Sequence, residues 1–170
     1  MTPAESLKVV LNDGTLTLGS VGPVCIYLYR DLMQLAHVTR GRQLHRALHK
    51  RHPNGLGIII VYRTPRYISE HMNELRTEFI ALMKEADELV KCVGVAIEQT
   101  GFLGATIRAS AAGLSIIARP KFTIRYTATA HESIDWVASQ GPRMSATLDA
   151  SALATALSTM ESLPTGALYG

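Results

Sequence analysis

The sequence predicts a mixed α/β domain, a small and partly parallel sheet with alternating helices and an N-terminal hairpin. Three observations predict it. Long apolar runs rich in β-branched residues alternate with stretches whose apolar residues recur every three or four positions. Parallel neighbours need crossover connections of this kind, whereas antiparallel ones do not. At the N-terminal end, Asn12-Asp13-Gly14 separates two alternating β-prone runs, Leu7 to Leu11 and Thr15 to Leu18, and an Asp-Gly pair in that setting is a hairpin signal.

After Gly22-Pro23, Val24 to Tyr29 (VCIYLY) is apolar throughout, the pattern of a strand buried on both faces. Asp31 is placed to cap a helix that runs from Leu32 through Leu35, Ala36, Leu44, Ala47 and Leu48, with Gly41 a soft spot within it. Pro53-Asn54-Gly55 ends that helix. Leu56 to Tyr62 (LGIIIVY) is nearly uninterrupted and reads as a central strand. Thr64-Pro65-Arg66 breaks it, Ser69 is the expected N-cap, and Met72, Leu75, Phe79, Leu82, Met83 and Ala86 make a one-sided helical stripe. Glu74, Arg76, Glu78, Lys84 and Glu85 then fall on the solvated face. Val90 to Ile97 is another buried strand, Gly101 to Ala118 a helix stopped by Pro120, Phe122 to Thr127 an alternating strand, and His131 to Ser139 a short helix. One domain over residues 1–140 is expected, with 141–170 a C-terminal helix or a flexible tail in which Leu148, Leu153, Leu157 and Met160 supply the apolar positions.

Composition narrows the classes of function. The chain has 170 residues, 47% of them hydrophobic and 18% charged, enough for one globular core and far from a disordered composition. Its aromatic share of 6% leaves that core to aliphatic side chains. The two cysteines, Cys25 and Cys92, lie in apolar runs without metal-ligand neighbours, which points to buried thiols and not to a secreted disulfide framework. Neither a signal peptide nor an 18-residue charge-free run is read, so no transmembrane segment is expected and a cytoplasmic location is. A net charge of +3 does not by itself argue for nucleic acid.

Several residues invite a chemical reading. Arg40, Arg42, His45, Arg46, His49, Lys50, Arg51 and His52 crowd the first long helix, and helical spacing gathers Arg42, Arg46, His49 and Lys50 on one flank that would suit an acidic partner, a phosphate or an anionic lipid surface. His45 and His49 stand at i and i+4, a metal-ligand spacing, but Arg46 occupies the place where a zincin has its Glu, and no third ligand is evident beyond His52. His37, His71 and His131 read as surface or cap residues. Gly113-Leu114-Ser115 lies in a helix and is no nucleophile elbow, and Gly101 to Ala105 misses the dinucleotide fingerprint. Gly104, Ala105, Ala109, Ala112 and Gly113 read instead as small residues for close packing against the sheet or a second copy. Glu98, with Thr64 and Ser69, marks the edge of a pocket at the carboxyl ends of the strands, where open α/β sheets bind ligands. One unpartnered carboxylate is a poor basis for acid–base catalysis, so neither catalytic residues nor a cofactor or metal is assigned.

Leu56 to Tyr62, Val93 to Ile97, Phe122 to Tyr126 and the closing Glu132-Ser133-Ile134-Asp135-Trp136-Val137 resemble, in order and hydrophobic pattern over residues 24–139, the STAS-like domains related to the sporulation anti-sigma-factor antagonist, a group that approaches the CRAL-TRIO shape. The resemblance implies a regulatory, protein-binding module without enzymatic activity. Switches of that group carry an Asp-Ser or Asp-Thr pair after a central strand; here the loop is Arg63-Thr64-Pro65-Arg66-Tyr67-Ile68-Ser69, which has none. A protein partner and a homodimer are therefore the expectation, nucleic acid is not, and a binder of a small ligand or anionic surface through the basic helix is the alternative.

Overall fold

A computed structural model describes residues 6–63 and 72–166. Its elements are β1 (Lys8–Asn12), β2 (Leu16–Val21), β3 (Val24–Tyr29), α1 (Leu35–Arg51), β4 (Leu56–Tyr62), α2 (Met72–Ala86), β5 (Val90–Ile97), α3 (Gly101–Ala118), β6 (Thr123–Thr127), α4 (Ala130–Ser139) and α5 (Ala150–Ser162), with a 3-10 turn at Gly141–Met144. The sheet is six-stranded in the order β1-β2-β3-β4-β5-β6. The first three strands are antiparallel, and β3 to β6 are parallel. The predicted class, with its N-terminal hairpin, is the observed one. Gly22-Pro23, read only as the approach to a strand, is in fact the turn of a second hairpin, two residues long: Val21 pairs with Val24, and Gly22 takes a φ of 53° there.

A strand order that follows chain order, joined by right-handed crossovers, puts α1, α2 and α3 on one face of the sheet and leaves the other to whatever comes after the last strand. The core divides accordingly. Cys25, Tyr27, Tyr29, Ile58, Val93, Val95 and Ile97 face Leu44 and Leu48 of α1 and Met83 and Ala86 of α2. Val24, Ile26, Leu28, Ile59, Val61, Cys92 and Ala96 face Ile134 and Val137 of α4 and Leu153, Leu157 and Met160 of α5. Burial on both faces is why these strands read as unbroken apolar runs. The segment after Gly141 is thus part of the core, its helix held by four buried side chains, Leu153, Ala156, Leu157 and Met160.

α1 is one unbroken helix, and its N-cap is Gln34, not Asp31. Asp31 only accepts the N–H of Leu32. The helix starts where His37 can reach back to take the Gln34 N–H on Nδ1, and His37 is 1% exposed, a cap residue but not a surface one. Gly41 is no weak point: a Cβ there would lie 2.4 Å from the Tyr27 hydroxyl, so the glycine makes room for a ring on β3. Cys25 and Cys92 are free and buried on opposite faces of the sheet. Among the described residues, no helix is long and apolar enough to cross a membrane.

Candidate functional site

The carboxyl ends of the parallel strands were the expected ligand edge. β4 and β5 pair Tyr62 with Ile97, so the residues that follow, Arg63 and Glu98, emerge side by side. The Arg63 guanidinium donates to Glu98 Oε2 and to Glu161 on α5, while Glu98 Oε1 accepts the first N–H of α4, from Ala130, at 2.9 Å. Both oxygens of Glu98 are thereby held. Arg108 of α3 donates to the carbonyls of Ile97 and Gln99, at 3.1 Å each. Arg30, after β3, donates to Thr17 Oγ1 at 2.6 Å and to the Met160 carbonyl at 2.9 Å. Arg63, the counter-charge of Glu98, was missed in the sequence because only the strand register brings the two together. Thr64 and Ser69 lie outside the described residues.

The basic flank of α1 meets α2. Arg42 pairs with Glu78 and Glu85, and Arg46 with Glu85, all at 3.2–3.3 Å. Glu78 and Glu85, expected on a solvated face, are therefore the counter-charges of that flank. Arg42, His45, Arg46, Leu82, Glu85, Ala86 and Leu89 line a cleft of about 190 Å³ between the helices. Lys50 points to solvent, and His49 is half-buried with its Nδ1 unpartnered among the described residues. His45 does not share a metal with His49: it is turned into the core, 3% exposed, and its Nε2 is 2.8 Å from the Tyr27 hydroxyl. Burial lowers its pKa to about 4 and raises that of Tyr27 well above the ordinary phenol value, so the pair stays neutral. About two turns earlier on α1, His37 Nε2 meets Asp13 Oδ2 at 2.9 Å. Burial would raise the Asp13 carboxyl, but the N–H groups of Leu16 and Thr15 and the His37 ring together hold it below the ordinary carboxylate value.

An exposed apolar groove lies elsewhere. Among the described residues, β6 ends the sheet and is paired on one side only. Between it and α3 runs a groove of about 370 Å³ lined by Ala112, Ile116, Arg119, Pro120, Phe122, Ile124 and Tyr126. Ile116 is 74% exposed and Phe102, on the same helix, 89%. Most of the small residues named on α3 do not press it tightly onto the sheet: Ala105 and Ala109 are exposed and a Cβ on Gly113 would meet nothing within 4 Å, whereas Gly104 is packed beneath the Gln99 carbonyl and Ala112 is half-buried. The sequence carried a signal for this surface in an aromatic at the start of an apolar helix, but apolar residues there read equally well as core.

Four cations surround β6, with Arg119 lining the groove and Arg143 bonded to Thr123. Arg119, Lys121, Arg125 and Arg143 are all exposed, and none is in an ion pair among the described residues. Arg143 donates instead to Thr123 Oγ1 and Gln140. Asp87 is spent on the backbone N–H of Lys121, at 2.7 Å. Compared with protein-family models, with curated proteins and with solved structures, the chain matches none.

Proposed function

We propose that the protein is a non-enzymatic, regulatory protein-interaction module of STAS-like type, working in the cytoplasm and acting on another protein, alone or as a homodimer. The observation that carries this reading is the state of Glu98. The carboxylate at the expected ligand edge has one oxygen on Arg63 and the other on the Ala130 N–H, so it braces the ends of β4, β5 and α4 as a structural tie. The hairpin, the parallel order that follows and the helix after the last strand, which bears Trp136, support the STAS-like type; two buried free thiols support a reducing compartment. The alternative, an anionic-surface binder using Arg42, Arg46, His49 and Lys50, gains less support, because two of its four groups already face carboxylates.

Crosslinking in the native cell, followed by light scattering of the purified complex, tests the reading. It expects a defined complex of fixed stoichiometry. A chain that stays monomeric and is crosslinked to nothing overturns it. Under the alternative, Arg42→Glu, Arg46→Glu and Lys50→Glu together would abolish salt-sensitive binding to anionic vesicles; a wild-type chain that binds no such vesicle removes that alternative.

A further inference from the structure

The β6 edge and the groove beside it have a chemistry that selects one kind of occupant. A terminal strand directs half of its backbone N–H and C=O groups away from the sheet, and these accept an added strand. On β6, Ile124 and Tyr126 face the α3 side, where they line the groove with Ile116 and Phe122. Thr123 and Arg125 face the opposite side, where Arg143 bonds to Thr123. An added strand repeats that alternation, since directly opposed residues share a face. Its residues beside Ile124 and Tyr126 must be apolar, and the residue beside Arg125 must be a carboxylate. The amino end of β6 asks for the same charge, with Arg119 and Lys121 just before the strand and Arg143 bonded to Thr123 on the other face.

We infer that β6 receives, by strand addition, an extended segment of a partner protein in which acidic and apolar residues alternate. This rests on the interaction-module reading and names the partner's chemistry. A second copy of the chain fits poorly. Pairing β6 with itself about a two-fold axis through its middle sets Arg125 against Arg125, and like charges directly opposed are unfavourable. A nucleic acid would satisfy the cations but leave Ile116, Ile124 and the outward backbone groups without partners.

The test is fluorescence anisotropy of the full chain with labelled peptides of about eight residues, long enough to span a strand. One alternates Glu and Val, one alternates Lys and Val, and one holds the Glu and Val residues in two separate blocks. A single-stranded oligonucleotide is added as competitor. The alternating Glu peptide should bind saturably, and Arg125→Glu should weaken it by about tenfold while improving the Lys peptide. Arg125 is exposed, so the substitution leaves the core intact. Equal binding of the block peptide, full displacement by the oligonucleotide, no response to Arg125→Glu, or self-association through β6 would each overturn the inference. The two readings fail separately. If a partner crosslinked in the cell is held equally by the Arg125→Glu chain, the site is wrong and the module stands; if nothing is crosslinked, the module itself falls.

Discussion

At the scale of single residues, the most informative group is the buried pair of Tyr27 and His45. An imidazole held down to about 4, against 6.5 for an ordinary histidine, is neutral in the native protein at neutral pH. As pH falls below about 6.5, the unfolded chain takes up a proton that the folded chain refuses until about pH 4, so stability is complete above this window and is lost through it, by about 3 kcal/mol in total. Urea unfolding at about pH 7.5 and about pH 4.5 checks this against His45→Gln, which keeps a polar partner for Tyr27 and removes the titration. The wild type should lose clearly more stability between the two than the variant, and parallel losses would assign the acid sensitivity elsewhere. Gly41 belongs to the same contact. A methyl at Gly41 strikes the Tyr27 hydroxyl, so Gly41→Ala should cost about 1–3 kcal/mol despite the better helix propensity of alanine. In a Tyr27→Phe background, where the hydroxyl is gone, that cost should fall or change sign, as a double-mutant cycle in urea would measure.

Among elements, α4 is set by two glycines on the sheet beneath it. A Cβ on Gly94 would lie 3.0 Å from Val137 Cγ2 and 3.2 Å from Ser133, and one on Gly57 would lie 3.1 Å from Val137 Cγ1. Val137 is fully buried in that saddle, and Ser133 bonds to Thr127 at 2.7 Å. Gly94→Ala should therefore lift α4 and cost about 1–3 kcal/mol in thermal or urea unfolding, more than any gain from better strand propensity. The contrast between these elements and their contacts explains what was readable in the sequence. Strand and helix order was legible because burial on both faces leaves continuous apolar runs and one-sided packing leaves stripes. The start of α1 was not, because it depends on His37 reaching Gln34 and Asp13, the latter across the hairpin and far along the chain. The pairing of Glu98 with Arg63 was hidden for a related reason: it follows from the Tyr62–Ile97 register, which no local pattern encodes. Likewise Glu78 and Glu85 look solvated until α2 is laid beside α1.

For the whole molecule, the question is whether residues after Gly141 are an appendage or a wall of the core. α5 covers the face of the antiparallel strands that α4 does not reach, with Leu153, Ala156, Leu157 and Met160 at most 5% exposed. Its C-terminal end is tied twice to the carboxyl edge of the sheet. Arg30 donates to the Met160 carbonyl, which places a cation at the negative end of the helix, and Arg63 bridges Glu98 to Glu161. A helix so placed should melt with the sheet. Leu157→Ala opens a cavity in the shared cluster and should cost about 2–5 kcal/mol. Trp136 lies on α4 and packs against the same cluster, so its fluorescence reports on a different element from the mutated one. In one cooperative unit, the urea transition followed by Trp136 fluorescence and the one followed by far-ultraviolet circular dichroism move down together in Leu157→Ala. A Trp136 transition that stays in place while helical signal is lost early would mean that α5 unfolds alone, and that Arg30 and Arg63 tether it without coupling it to the sheet.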